Sequence, residues 1–475
     1  MKNHFLDALW QYSQSDIYPM HMPGHKRNPT CVMENPYQID MTEVPGVDDL
    51  HHPEGIIKEL LEDVAQWYGS KKSYLLVNGS TCGILSGITA CCHSGDTILV
   101  ARNCHKSVYN AIKLLSLKPV YVYPERLKGT MGELGIAGEV TAENVREALR
   151  EHPEVHCVIV TSPTYEGMVS PIQSIAELCH EKGIPLIVDE AHGAHFNWSK
   201  EFPPTAVQQG ADIVIESLHK TLPSFTQTAV LHYQGELVDE ERLTWALQTY
   251  QSSSPSYILM AGMAQCFSAV EKAGKEGFAR YVENLQMFRE KMRELKHLEL
   301  ITHPQMELSK IVISTAKTPW TGQQLEDNLL EKFRIQLEMS CGDYAIAMTS
   351  FCDERRHFAR LAEALLSLDA KLSIVPKEKK RVFSYDIKPP KRRYYSCEVE
   401  RMSKVYRRLS EAAGCVSARD VYLYPPGIPF VTAGEEFSEE IVEVLQSGIA
   451  LGYEVQGVED GKVAIVDLDS KRLEE

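Results

Sequence analysis

The chain has no run of about eighteen apolar residues, and the segment from Met1 to Tyr12 lacks the apolar core of a secretory signal. Neither a membrane span nor export is therefore expected, and the protein reads as cytoplasmic with no membrane partner. Its twelve cysteines, including the adjacent pair Cys91 and Cys92, follow no paired zinc spacing and build no disulfide framework. Most sit in apolar runs and are expected to be reduced core thiols. Surplus positive charge is missing as well. A formal net charge of -16 argues against nucleic acid as a partner, because phosphate recognition needs clustered Lys and Arg. One basic cluster exists, Lys377, Lys379, Lys380 and Arg381 followed by Lys388, Lys391, Arg392 and Arg393, but prolines and Glu378 interrupt it, as in a solvated loop. There is no internal repeat and no low-complexity tract.

What is present is an ordinary globular composition, 44% hydrophobic and 24% charged, over 475 residues. That length exceeds what a single core serves and points to two or three domains. Short apolar runs alternate with helical patterns between residues 73 and 232, the signature of a mainly parallel sheet covered on both faces. Seven strands are expected, at 73–77, 97–101, 119–123, 156–161, 184–189, 212–216 and 228–232, with helices at 81–92, 106–115, 142–151 and 172–182. A long helical pattern over 255–295, broken near Gly274 and Gly277, leads to a smaller α+β unit. Its expected pieces are strands at 310–314, 334–339 and 344–349 and helices at 321–333 and 354–368. After a basic connection, helices at 397–413 and 438–451 flank the turn Tyr424-Pro-Pro-Gly-Ile-Pro429. The expected division is an arm (1–50), a large domain (51–254), a linking helix with a small domain (255–375) and a C-terminal segment (376–475).

Chemistry concentrates at the expected strand ends. Asn78-Gly-Ser-Thr-Cys-Gly83 joins a strand to a helix, and its small residues let backbone N–H groups and the hydroxyls of Ser80 and Thr81 approach a phosphate; a simply capped helix would look the same. No Walker lysine follows, which excludes a P-loop. Asp189-Glu-Ala-His192 spells a DEAH box, yet the nucleotide loop of a helicase is absent. His192 and His195 stand three apart without a third ligand, so no metal is expected. Asp189 ends a buried strand, and Lys220 lies in Ser217-Leu-His-Lys-Thr221 beyond a later one. A lysine to hold an aldehyde as a Schiff base and a carboxylate to keep a pyridine nitrogen protonated suit pyridoxal 5'-phosphate (PLP). His105 begins the helix after another strand, so a phosphate-type loop, a histidine, an aspartate and a lysine should face one crevice.

With these residues in place, the chain resembles the Orn/Lys/Arg decarboxylase family of PLP enzymes. The matching stretches are His21-Met-Pro-Gly-His-Lys26, Val44-Pro-Gly-Val-Asp-Asp-Leu-His-His-Pro-Glu-Gly55, Val77-Asn-Gly-Ser-Thr81, Asn103-Cys-His-Lys-Ser107, Pro163-Thr-Tyr165, Asp189-Glu-Ala-His-Gly-Ala-His195, Ser217-Leu-His-Lys-Thr221, Ser252-Ser-Ser-Pro-Ser-Tyr257 and Tyr424-Pro-Pro-Gly-Ile-Pro429. The resemblance implies the type I, aspartate-aminotransferase-like α/β fold. It implies that Lys220 bonds the cofactor, that Asp189 pairs with the pyridine nitrogen and that His105 stacks on the ring. Ser80 and Thr81 would hold the phosphate with Ser217 and His219 nearby, and Thr164 and His192 would also line the cofactor. Asp48, Asp49 and Glu54 are candidates to meet the distal cation of the substrate, across a dimer interface. By analogy the enzyme is a homodimer with a shared active site.

Two departures stand out. Larger family members carry an N-terminal receiver-like wing where residues 1–50 make only an arm, so assembly into rings is not expected. Ser396-Cys-Glu-Val-Glu400 replaces a Pro-Arg-Glu-Ala type of sequence in the substrate region. The expected function is decarboxylation of a basic amino acid in polyamine biosynthesis, arginine first, then lysine or ornithine, with Lys220 or His219 returning the proton. The rivals are another PLP reaction, such as transamination or C–S lysis, and a PLP-binding regulatory protein without turnover.

Overall fold

The computed structural model describes residues 4–28, 33, 35–374, 388–424, 429–450 and 454–468. Cys31, the first half of the basic cluster and the turn after Tyr424 lie outside the described residues. Seven strands form one sheet in the spatial order Lys72–Leu76, Ala229–Tyr233, Ile213–Glu216, Leu186–Asp189, Val155–Thr161, Thr97–Ala101, Lys118–Val122. Ala229–Tyr233 is antiparallel to both neighbours and every other pairing inside the sheet is parallel. All five residues of Thr97–Ala101 are buried. Along it Ile98 and Val100 join one apolar cluster while Leu99 and Ala101 join another, so helices cover both faces. The fold class is thus the mainly parallel α/β arrangement, with strand edges within two residues of expectation. Every cysteine among the described residues is a free thiol, and no helix among them is long and apolar enough to cross a membrane.

Helix Tyr257–Lys291 leaves the sheet and is broken at Gly274 (φ 55°, ψ -163°), a conformation open to glycine. Gly277, the other suspected breaker, is buried within the helix. A four-stranded antiparallel sheet follows, in the order Met339–Cys341, Tyr344–Met348, Lys310–Ser314, Glu299–Leu300. The single strand expected at 334–339 is in fact two. Arg334, in the left-handed region at φ 58°, closes helix Gly322–Phe333; Ile335–Leu337 then pairs in parallel with Tyr18–Met20, and Met339–Cys341 turns to Tyr344–Met348. The arm is therefore paired in a two-stranded sheet of its own beside the small sheet, and Glu338 stands at the break between the two.

The helix expected at 397–413 is a correction. Helix Ser396–Val399 stops after one turn, and Lys404–Arg408 is a strand paired with Lys462–Val466. Val405 and Tyr406 favour extended backbone, and this cross-chain partner is invisible in the local sequence. Around helix Glu439–Ala450 the C-terminal segment has its own apolar cluster, including Leu409, Phe437, Ile441 and Leu445. A buried, bidentate ion pair ties it to the large sheet: Arg102 donates to both Glu435 oxygens at 3.0 and 2.8 Å and lies 4.5 Å over the Tyr121 ring.

Candidate active site

The parallel strands end along one edge of the large sheet, and register brings their last residues together: Thr161 is opposite Asp189, and Asp189 opposite Ile215. Asp189 is buried, with Oδ1 accepting the Ala191 N–H at 3.2 Å. Just beyond Ile213–Glu216, Ser217 starts the short helix Leu218–Thr221 that presents His219 and Lys220. Lys220 Nζ lies 3.1 Å from His192 Nε2. Burial lowers the proton affinity of the Lys220 amine, against the attraction of Asp189 and then Glu338. Burial also pushes His192 well below the usual imidazole range, and Lys220 reinforces it. A neutral His192 therefore accepts from the Lys220 amine at Nε2, which leaves its buried Nδ1 without a partner. His219 donates from Nδ1 to the Thr228 carbonyl at 2.9 Å. That fixes its tautomer, and burial lowers its affinity for a second proton against the pull of the carbonyl.

Helix Gly79–Cys91 follows strand Lys72–Leu76, which runs parallel to Ile213–Glu216, so it starts at the same edge of the sheet. Gly79, at φ 74°, donates to the Gln227 carbonyl, and the Asn78 side chain donates to Tyr250 O instead of capping the first turn. The N–H groups of Ser80 and Thr81 are thus left without a side-chain cap at the positive end of the helix. Ser217 Oγ is fully buried with no hydrogen-bond partner. His105 caps helix Lys106–Leu114, with Nδ1 2.8 Å from Ser107 Oγ, and its ring is exposed.

Other candidates have local duties. The Thr164 hydroxyl accepts the Met168 N–H at 3.1 Å and donates to Glu166 at 3.2 Å, closing the turn that carries Tyr165. Asp48 accepts the N–H groups of Asp49 and Glu54 at Oδ1, and those of Gly55, Ile57 and Lys58 at Oδ2. Although burial acts the other way, these backbone donors bring its carboxyl down to about 2. Asp48 is thereby the anchor for the start of helix Ile56–Tyr68. Asp49 accepts the His51 N–H at 2.8 Å, and Glu54 is exposed. Their loop packs on the segment around Ser252 and Tyr257.

Glu338 was missed. Its Oε2 accepts the Met22 N–H at 2.8 Å and its Oε1 the Tyr165 O–H at 2.5 Å, while the Tyr165 ring meets His192 edge-on at 4.9 Å. With His219, His21 and Tyr12 it lines a cavity of about 430 Å³. In the sequence Glu338 is only the outward polar member of an alternating strand, which carries no signal for a site.

A profile of the Orn/Lys/Arg decarboxylase major domain matches residues 3–320. The chain belongs to that family. It is similar to an arginine decarboxylase of Bacillus subtilis, 31% identical over 97% of this chain and 96% of the relative. An arginine decarboxylase of Bacillus anthracis is 30% identical over 95% of this chain and 94% of its own. Among solved structures, the constitutive lysine decarboxylase of E. coli superposes with a TM-score of 0.76 at 19% identity, covering 98% of this chain and 82% of that one, a likeness of fold.

Family membership makes the protein a PLP-dependent amino-acid decarboxylase, and the family's reaction is the decarboxylation of a basic amino acid. The crevice fits the cofactor on its own evidence. An amine whose proton affinity burial lowers, a buried carboxylate, an uncapped helix start and the orphaned Ser217 hydroxyl are complementary to an aldehyde, a pyridine nitrogen and a phosphate.

Proposed function

We propose that this decarboxylase removes CO2 from arginine to give agmatine, with lysine and ornithine as the next substrates. The support for arginine is end-to-end similarity, over nineteen-twentieths of the chain, to relatives named arginine decarboxylases. The observation that carries a cationic substrate is Glu338: close enough to Lys220 to act on its charge, it holds a carboxylate at the cavity wall with lone pairs beyond those given to Met22 and Tyr165. Glu338 thus replaces Asp48 as the candidate for the distal guanidinium or ammonium.

When bound, PLP supplies an aldehyde for amine exchange and a sink for the electron pair that departing CO2 leaves behind. The residues do the rest. Lys220 would hold the cofactor through its aldehyde. Asp189, buried at the strand end, holds the proton on the pyridine nitrogen. Ser80, Thr81 and Ser217 would bind the phosphate, and the His105 ring would pack on the cofactor. His192 keeps the Lys220 amine oriented by accepting its hydrogen bond. Lys220 or His219, the latter through its free Nε2, returns a proton to the α carbon.

The same reading includes a cytoplasmic homodimer. Helix His4–Ser13 turns Phe5, Leu6, Leu9 and Trp10 to solvent, and Tyr37, Met41 and Val44 are exposed as well, apolar surface that a second copy would cover. The deciding experiment supplies arginine, lysine and ornithine at equal concentration and identifies the amine formed. Agmatine with matching CO2 is expected. A keto acid would mean transamination, and bound PLP with no product from any of the three would mean a binding protein without turnover.

A further inference from the structure

Tyr165 stands just beyond strand Val155–Thr161, on the sheet side of the crevice. Its turn is fixed from within: the Thr164 N–H donates to the Met168 carbonyl at 2.8 Å and the Gly167 N–H to the Thr164 carbonyl at 3.0 Å. It is also tied to the loop before strand Lys310–Ser314, where the Glu307 N–H donates to the Gly167 carbonyl and the Val169 N–H to the Gln305 carbonyl, each at 2.9 Å. At Gly167, φ 102°, a Cβ would come within 2.9 Å of Lys310 Cγ, so the turn requires glycine. The tyrosine held in this way touches groups on both sides of the crevice. Its ring meets His192 edge-on at 4.9 Å, and His192 accepts from Lys220 at 3.1 Å. Its hydroxyl donates to Glu338 Oε1 at 2.5 Å.

The other oxygen of Glu338 is taken from a different direction, because Oε2 accepts the Met22 N–H of the arm at 2.8 Å. The main chain is pinned as well, with the Glu338 N–H donating to the Ile346 carbonyl at 3.0 Å. A carboxylate offers about four lone-pair sites, so with one donor on each oxygen both oxygens keep one free. Its plane cannot turn without breaking a hydrogen bond. We propose that Tyr165 is a positioning residue for substrate selection: its O–H, with the Met22 N–H on the other oxygen, fixes the plane of the Glu338 carboxylate so that a planar guanidinium can meet both oxygens at once, which favours arginine over lysine. A guanidinium presents its N–H donors in a fixed fork and gains from a carboxylate whose plane is set in advance. The ammonium of lysine is a compact charge that follows a single oxygen wherever it turns, and gains less.

The inference rests on Glu338 as the group that meets the distal cation, so the test separates the two. Tyr165→Phe keeps the ring beside His192 and removes only the hydroxyl. In the holoenzyme it should leave the visible band of bound cofactor intact and raise KM for arginine by roughly 3- to 10-fold, with a smaller rise for lysine, so that the preference for arginine falls. Inhibition by agmatine should weaken in step, a readout free of the chemical step. Added to Glu338→Gln, the same substitution should change KM for arginine little further, because its effect runs through the carboxylate. If Glu338→Gln itself leaves KM for arginine unchanged, the carboxylate is not the distal partner and both readings fall. If Glu338→Gln raises KM while Tyr165→Phe does not, only the role of Tyr165 falls. Losses of equal size for arginine and lysine, or effects of the two substitutions that simply multiply, overturn that role as well.

Discussion

The two walls of the crevice are built differently. One wall is the edge of a single sheet: Asp189, Ser217, His219 and Lys220 follow strands whose register the backbone ladder fixes, and each is only a few residues from a strand end. The other is assembled from pieces far apart in the chain. Gly24 of the arm donates to the His219 carbonyl at 2.8 Å and accepts from Ser350 Oγ at 2.6 Å. Lys26 donates to the carbonyls of His21 and Met348, and Met22 binds Glu338. A Cβ on Gly24 would come within 2.6 Å of Leu222 O, so the arm lies backbone to backbone on the segment carrying Lys220. The sheet wall holds the groups for cofactor chemistry in a rigid frame. On the proposed function, the assembled wall would supply the carboxylate that meets the distal end of a substrate.

The sharpest way to break this division is at the sheet wall. Lys220→Ala should reduce turnover to background and abolish the visible band of bound cofactor; absorbance and product assays on the purified variant check it. Next in size is Asp189→Asn, expected to keep the cofactor but to lose on the order of 100-fold or more in kcat, since a neutral amide stabilises the pyridinium poorly. Near-normal decarboxylation there would remove Asp189 from its assigned role.

On the assembled wall the signature should change. Glu338→Gln should leave the visible band intact and raise KM for arginine by roughly 10- to 100-fold, the range for losing one charge-assisted hydrogen bond. Steady-state kinetics on arginine beside an uncharged amino acid would sharpen the comparison: a loss shared equally by both would place Glu338 outside distal recognition.

Legibility in the sequence follows the same division. The strands ending at Ala101, Thr161, Asp189 and Glu216 are buried apolar runs, and a buried strand announces its end by the polar residue that follows. The residues beyond them could therefore be placed in one crevice before any contact was known. Glu338 and the arm could not. Each acquires its meaning from a partner hundreds of residues away, as Tyr18–Met20 does from Ile335–Leu337. Strand Lys404–Arg408, expected as helix, fails for the same reason, because its partner Lys462–Val466 lies near the chain end. Asp48 shows the converse: an acidic residue in a family stretch reads as a ligand for a cation, whereas five backbone donors already surround it.

Asp48 provides the smallest effect and the cleanest separation of fold from recognition. An asparagine there keeps one acceptor oxygen but turns an N–H2 group toward backbone N–H donors, and it removes the negative charge from the start of helix Ile56–Tyr68. The loss should resemble that of a helix cap, about 1 kcal/mol in denaturant unfolding, with KM for arginine unchanged. The sign of the pH dependence follows from its depressed affinity. With a folded value of about 2 against 3.8 for the free side chain, the ionised Asp48 contributes its full stabilisation above 3.8 and loses it as the pH falls toward 2. The stability gap between wild type and Asp48→Asn should therefore be constant near neutrality and begin to close once the pH drops below 3.8. A variant that instead kept full stability and raised KM would return Asp48 to the substrate, and with it move part of the recognition wall to the loop before helix Ile56–Tyr68.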